Sequence, residues 1–143
     1  MNSQKRKENL LFLAWCVSFI ATLGSLYFSE IMKFIPCTLC WYQRIFMYPL
    51  VLLLGVAVIK KDYSISRYSL IFGIIGSCLS LYHYLIQKIV FLSERAVSCG
   101  RVPCTGEYIN WLGFITIPFL ALFGFIVISI CSLILLRISK EDY

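Results

Sequence analysis

Two short cysteine pairs are the residues of this chain best suited to chemistry. Cys37 and Cys40 are separated by two residues, and Cys99 and Cys104 are separated by four. Closely spaced thiols interconvert between a dithiol and a disulfide, and a thiolate is both a nucleophile and a metal ligand. The spacing therefore predicts two local dithiols, and for Cys99 and Cys104 a structural disulfide is the alternative. We assign no metal ligand from the sequence.

The setting of the first pair favours a reactive thiolate. Pro36 suits the start of a helix because it has no backbone N–H, so Cys37 and Cys40 are expected on one face of the first turn. A helix N-terminus carries partial positive charge and stabilises a thiolate. Arg44 follows one turn below Cys40, where its permanent charge can stabilise that thiolate and bind an acceptor oxygen. The alternative is that Arg44 reaches outwards to lipid headgroups.

Four apolar segments must position these residues. The 143-residue chain is 60% hydrophobic and 14% charged, whereas soluble domains are about 25% charged. This composition argues against a soluble globule, a disordered chain and a nucleic-acid-binding protein. Apolar runs of about 20 residues span a bilayer as helices. We predict an all-α integral membrane protein, a single four-transmembrane-helix bundle over residues 1–143, with spans at about 10–28, 39–59, 68–87 and 111–136 and outward loops at 29–38 and 88–110.

The basic residues predict the orientation. Eight of them fall at the segment ends on one side of a four-span chain and four fall on the other. Because Lys and Arg are enriched in cytoplasmic loops, both termini are expected in the cytoplasm. Both cysteine pairs then lie on the extracytoplasmic, oxidising face of a bacterial cell membrane, where disulfides persist. The inner set is Lys5, Arg6, Lys7, Lys60, Lys61, Arg67, Arg137 and Lys140, and the outer set is Lys33, Lys88, Arg95 and Arg101.

Other polar and aromatic residues in the spans have two interpretations each. His83 interrupts the third span, where an ionisable side chain is a candidate for proton transfer or for a hydrogen bond between helices. The cysteines within the spans are expected to be small buried apolar residues. Aromatic side chains near the outer ends are favoured as packing over lining a ligand slot. The three cysteines within the spans are Cys16, Cys78 and Cys131. The aromatic residues near the outer ends are Tyr48, Tyr82, Tyr84, Trp111 and Phe114.

The segment Cys37-Thr-Leu-Cys-Trp-Tyr-Gln-Arg44 closely resembles the signature of the DsbB family of membrane disulfide-forming oxidoreductases. The four spans and the second outward cysteine pair match that family over essentially the whole chain. The short spacing between Cys99 and Cys104 is most similar to the BdbC branch of Gram-positive bacteria. The resemblance is specific because the motif opens the second of four spans.

The resemblance implies an activity and a route for electrons. Family members oxidise a thioredoxin-fold partner of the DsbA or BdbD type outside the membrane and pass two electrons to a membrane quinone. By position, the partner would attack Cys99, and Cys104 would resolve that mixed disulfide and exchange with Cys37. Cys40 would face the quinone. All four cysteines are therefore candidate catalytic residues.

The resemblance also implies quinone-binding residues. Arg44 matches a family arginine that helps to bind quinone, and His83 is similar to a family histidine near it. Menaquinone is favoured by analogy with the BdbC branch, with ubiquinone as the alternative. Gln43 stands where some members have an acidic residue, so no proton role is assigned to it.

Three other functions remain open from the sequence. A membrane protein that binds or transfers metal would use the outer cysteines as thiolate ligands, although the charge of Arg44 opposes a cation. A structural four-span protein would use its disulfides only to staple loops. An enzyme resembling vitamin K epoxide reductase would also combine a Cys-x-x-Cys motif with quinone, although there the motif normally falls late in the chain.

Overall fold

Four long helices make up most of the chain. The computed structural model describes residues 2–89, 91, 94, 112–113 and 115–141. Helix α1 covers Ser3–Leu26 and continues into a π-helical turn, Tyr27–Ile31; α2 covers Thr38–Lys60. A 3₁₀ turn, Tyr63–Ile65, leads into α3, Ser66–Lys88, and the last helix, α4, covers Ile117–Glu141. Among the described residues, four helical segments are long and apolar enough to cross a membrane, which confirms the predicted fold class.

The helices form a bundle whose core is mainly apolar but also contains polar side chains, while many apolar side chains cover its surface. α1 packs against α2 and α4, and α3 also packs against α2 and α4. Ser69 of α3 and Ser132 of α4 are fully buried and share a hydrogen bond of 2.7 Å. In contrast, Leu52 and Ile59 are 73% and 83% exposed. This distribution suits a lipid surround, in which exposed apolar side chains carry no cost and buried polar ones pair between helices.

Close approach of α3 and α4 depends on glycine. Phe125 of α4 is completely buried, and its ring packs directly over Gly76. A Cβ at Gly76 would overlap that ring. Small residues at helix contacts are the usual way for membrane helices to pack closely. The α3–α4 pair is therefore closely packed at the middle of α3.

The fourth helix begins later than the predicted start of the span at 111. Residues 112–113 form a turn, in which Leu112 and Gly113 have positive φ angles of 55° and 83°. Helix α4 begins at Ile117, with Pro118 in its first turn. Proline fits the first turn but disfavours a helical residue before it. Counting apolar residues does not detect this boundary, because residues on both sides of the turn are apolar.

The connection between α1 and α2 places a π-helical turn and the start of α2 on the wall of one cavity. The predicted loop at 29–38 is shortened, because the π-helical turn extends to Ile31 and α2 begins at Thr38. In this turn the amide of Met32 donates to the carbonyl of Tyr27 over 3.2 Å. Single π-helical turns occur frequently at functional sites. Here the turn lies beside the first residues of α2, which carry the Cys-x-x-Cys motif.

Candidate active site

The two motif cysteines lie in contact at the N-terminus of α2. Cys37 is the extended residue that precedes the helix, and Cys40 lies in its first turn. Both are thiols with no disulfide between them, and the Sγ of Cys37 donates to the Sγ of Cys40 over 3.1 Å. Cys37 is 5% exposed, whereas Cys40 is half-buried. The pair is thus held as an asymmetric dithiol, with its more accessible sulfur accepting the hydrogen bond.

A buried histidine and a buried glutamine continue this hydrogen-bonded chain. The Nε2 of His83 on α3 lies 3.6 Å from the Sγ of Cys37. The Nε2 of Gln43, also buried, lies 3.2 Å from the Nδ1 of the same ring. An amide N–H that donates to Nδ1 leaves the hydrogen of a neutral imidazole on Nε2, where it faces the sulfur. Gln43, His83, Cys37 and Cys40 therefore form one continuous polar chain between α2 and α3.

The pKa of Cys37 shows which sulfur keeps the proton. The hydrogen bond to Cys40, followed by burial, raises the pKa of the Cys37 thiol from 9.0 to about 12, although the contact with His83 lowers it in part. Burial disfavours the thiolate because the charged form loses its hydration. Cys37 is consequently protonated at neutral pH. A thiolate is therefore disfavoured on Cys37.

A cavity of about 470 Å³ opens beside Cys40 between α1, α2 and α4. Its walls are mainly apolar, and Arg44 supplies a positive charge. The guanidinium of Arg44 donates to the carbonyl of Ser25 over 3.2 Å and to the Oγ of Ser29 over 3.4 Å, so α1 fixes its position. Polar side chains that share the cavity wall with Cys40 and Arg44 are Ser25, Ser29, Gln43 and Tyr48.

The predicted site residues fall into two groups. Cys37, Cys40 and His83 lie within one cluster, and Arg44 lines the cavity that Cys40 faces. Cys99 and Cys104 lie outside the described residues. Their assigned roles therefore stay predictions.

Most of the other sequence predictions concern packing. Among the aromatics, Tyr48 lines the cavity, Tyr84 packs against Phe119 with ring centroids 5.6 Å apart, and Tyr82 is 44% exposed. Trp111 and Phe114 are outside the described residues. Cys131 is buried as expected and Cys16 is half-buried, but Cys78 is exposed on the surface of α3.

Gln43 is the site residue that the sequence did not reveal. The sequence assigns Gln43 no role in proton transfer, because an amide cannot exchange a proton as a carboxylate does. Its position carried a signal, since Gln43 adjoins Arg44 and follows Cys40 by one helical turn within a membrane span. A polar residue at that depth usually finds a polar partner on another helix. The partner, His83, is 40 positions away in sequence and became visible only in the fold.

Similarity to known proteins identifies the family of this chain. The model of a family described as disulfide bond formation protein DsbB matches residues 7–135, which include the cysteine motif, Arg44 and His83. The chain belongs to the DsbB family. It is similar to a probable disulfide formation protein C 1 of Bacillus cereus, with 68% identity over 137 residues that cover 96% of this chain and 99% of the relative.

More distant relatives of the DsbB family keep the same length. The disulfide bond formation protein C of Bacillus subtilis is 55% identical over 138 residues, which cover 96% of this chain and 99% of that protein. A probable disulfide formation protein C of Halalkalibacterium halodurans is 59% identical over 133 residues, with 93% and 97% coverage. No match to the chain was found among solved structures. As a DsbB family member with four membrane-spanning helices, the chain is a multi-pass membrane oxidoreductase of disulfide bond formation.

Proposed function

We propose that the chain is a quinone-dependent oxidoreductase that reoxidises a thioredoxin-fold disulfide donor outside the cell membrane. The observation that carries this proposal is the shared cavity of Cys40 and Arg44, with Cys37 hydrogen-bonded behind Cys40. This arrangement connects a dithiol to an apolar ligand site. A quinone bound there would supply an acceptor for two electrons and two protons, which matches the oxidation of one dithiol to one disulfide.

The residues around the cavity fit a quinone. A volume of about 470 Å³ lies within the range of about 300–1,000 Å³ that is usual for small-molecule sites. Apolar side chains such as Phe28, Phe34 and Met47 suit a flat ring, and Arg44 suits a carbonyl oxygen that gains negative charge. The cavity is partly open at the surface of the bundle. This opening would let an isoprenoid tail extend into lipid. Menaquinone is our first choice by analogy with the BdbC branch, and ubiquinone is the alternative.

The thiol side of the reaction is a series of balanced exchanges. The partner's dithiol is oxidised as a disulfide between Cys99 and Cys104 is reduced, with Cys99 attacked first. The new dithiol then reduces a disulfide between Cys37 and Cys40, through attack of Cys104 on Cys37. Each exchange breaks one S–S bond and forms another, so two electrons move inwards each time. Because Cys37 is only 5% exposed, this exchange requires the segment before α2 to uncover its sulfur.

The orientation of the bundle belongs to the same proposal. The excess of basic residues at the predicted inner ends supports cytoplasmic termini. Cys37 and Cys40 lie at the opposite end of α2 from Lys60 and Lys61. Both cysteine pairs would then face the oxidising exterior, where the thioredoxin-fold partner resides.

A reconstituted reaction tests the proposed function. The purified protein, supplied with menaquinone or ubiquinone, should oxidise a reduced thioredoxin-fold partner, and Cys40→Ser should abolish quinone reduction. With a partner whose second motif cysteine is replaced by serine, attack on the Cys99–Cys104 disulfide should trap a mixed disulfide with Cys99. Trapping of the partner on Cys104 instead would reverse the assignment within that pair. Failure of both quinones to accept electrons would contradict the proposal.

A further inference from the structure

Three side chains that can bind a soft metal ion meet at the start of α2. The Sγ atoms of Cys37 and Cys40 and a ring nitrogen of His83 all lie within 4.8 Å of one another. Cys37 and His83 are buried, and Cys40 is half-buried. Two thiolates and one imidazole form a ligand set typical of zinc, whereas oxygen ligands would favour magnesium or calcium.

We propose that the reduced chain binds one thiophilic divalent cation, such as Zn²⁺, through Cys37, Cys40 and His83, and that the oxidised chain does not. Zn–S bonds of about 2.3 Å and a Zn–N bond of about 2.0 Å place tetrahedral ligand atoms about 3.5–3.8 Å apart. The sulfur–nitrogen distance of 3.6 Å between Cys37 and His83 already meets this requirement. The sulfur–sulfur distance of 3.1 Å needs to widen by about 0.7 Å, which a rotation of the half-buried Cys40 side chain would provide.

Gln43 can serve both states of the site. In the metal-free dithiol its amide nitrogen faces the Nδ1 of His83 at 3.2 Å. Turned by 180°, the amide presents its oxygen to an Nδ1–H instead and leaves the Nε2 lone pair for the metal. A hydrogen bond to the second ring nitrogen is the usual support for a metal-binding histidine. Gln43 thus acts as a positioning residue for the proposed site.

The charge of the complex suits its surroundings. Binding releases two protons from the thiols, and the product of one Zn²⁺, two thiolates and a neutral imidazole has no net charge. A neutral complex avoids the cost of burying a charge. Arg44, the nearby cation, is directed towards the Ser25 carbonyl and the Ser29 hydroxyl of α1. The guanidinium is hydrogen-bonded to α1. The metal would instead be bound by the two cysteines at the start of α2 and by His83 of α3.

Redox state would control the site. A disulfide between Cys37 and Cys40 removes both sulfur ligands, because neither sulfur then carries a thiolate. Conversely, a bound cation occupies the sulfurs that must form the disulfide. The cation would therefore hold the protein in its reduced form. This inhibitory consequence rests on the proposed function, whereas the binding itself rests only on the three ligands.

Metal binding can be measured without turnover. A Cys99→Ser/Cys104→Ser protein, reduced with a phosphine in detergent, should take one Zn²⁺ per chain in competition with a chromophoric chelator. Co²⁺ should give the near-ultraviolet charge-transfer band of cobalt–thiolate bonds. The same protein oxidised at Cys37 and Cys40 should bind neither ion. Absence of zinc binding by the reduced protein, or equal binding by the oxidised protein, would overturn the proposal.

Matched variants identify the ligands. Cys37→Ser and His83→Ala should each lose stoichiometric binding, whereas Cys78→Ser, which alters an exposed cysteine of α3, should retain it. Gln43→Leu should weaken binding about 10–100-fold, and Gln43→Glu should restore it, which shows that the site is intact in a folded protein. Unchanged affinity in His83→Ala would overturn the assignment. Quinone reduction by the zinc-free preparation reports separately on the proposed function, and added Zn²⁺ should stop it until a chelator is supplied.

Discussion

The Nε2 of His83 lies 3.6 Å from the Sγ of Cys37, although 46 positions separate the two residues in sequence. This contact connects the third helix to the dithiol at the start of the second. Gln43 holds the other side of the ring, so the histidine is fixed between an amide and a thiol. The dithiol consequently has one buried, protonated sulfur and one sulfur that faces a cavity.

Replacement of Gln43 tests the role of this polar chain. We expect Gln43→Leu to slow quinone reduction about two- to tenfold, because loss of one hydrogen bond costs about 0.5–1.5 kcal/mol and frees the histidine ring. Gln43→Glu should retain most of the rate, since a carboxylate still fixes the ring by accepting a hydrogen bond from Nδ1–H in the other tautomer. The measurement is kcat with its pH profile for both variants. Equal rates in Gln43→Leu and the unmodified protein would show that the ring needs no support.

Arg44 should act on the quinone and not on the thiol partner. Arg44→Met is expected to raise KM for quinone about ten- to hundredfold, because a hydrogen bond to a charged group contributes about 1.5–3 kcal/mol. Arg44→Lys should fall in between, since a single ammonium cannot bond both Ser25 and Ser29 in the same geometry. Arg67→Lys, a change at the other end of the bundle, is the control. An unchanged KM for quinone in Arg44→Met would remove Arg44 from the site.

The two motif sulfurs should differ in reactivity. In the reduced Cys99→Ser/Cys104→Ser protein, a maleimide at neutral pH should modify Cys40 before Cys37. Cys40 is the more exposed of the two, and the pKa of Cys37, raised to about 12, keeps that thiol protonated. Mass spectrometry of peptides after brief labelling gives the order. Faster modification of Cys37 would reverse the roles given to the two sulfurs.

Packing of α3 on α4 makes a separate prediction about stability. Gly76→Ala should destabilise the bundle by about 1–3 kcal/mol, because its Cβ would overlap the fully buried Phe125 ring. At Gly24 nothing lies within 4 Å of an added Cβ, so Gly24→Ala should stabilise α1 by about 0.5–1 kcal/mol. Unfolding in detergent measures both. A Gly76→Ala protein as stable as the unmodified chain would refute this packing.

The sequence was sufficient for the fold class and for the first cysteine pair. Long apolar runs leave few alternatives to helices in lipid, and Pro36, Cys37 and Cys40 mark a helix start by local chemistry alone. Local rules also placed Arg44 near Cys40. They did not place Gln43 against His83, because that contact depends on how α2 and α3 pack.

The start of α4 and the cavity were also beyond the sequence. The positive φ angle of Leu112 has no signature in a run of apolar residues. The cavity is lined by residues of the π-helical turn Tyr27–Ile31, of the segment before α2 and of α4. Such spaces arise from the arrangement of several elements, and no single segment encodes them.

Anaerobic mixing of quinone with the reduced Cys99→Ser/Cys104→Ser protein tests the central claim most directly. In this protein the outer pair cannot donate electrons, so the Cys37–Cys40 dithiol is the proposed donor. The absorbance of oxidised quinone should fall by one equivalent per chain as the Cys37–Cys40 disulfide forms, and Cys40→Ser should leave the absorbance unchanged. Quinone that stays oxidised with the intact dithiol, or is reduced as rapidly by the Cys40→Ser variant, would contradict the account.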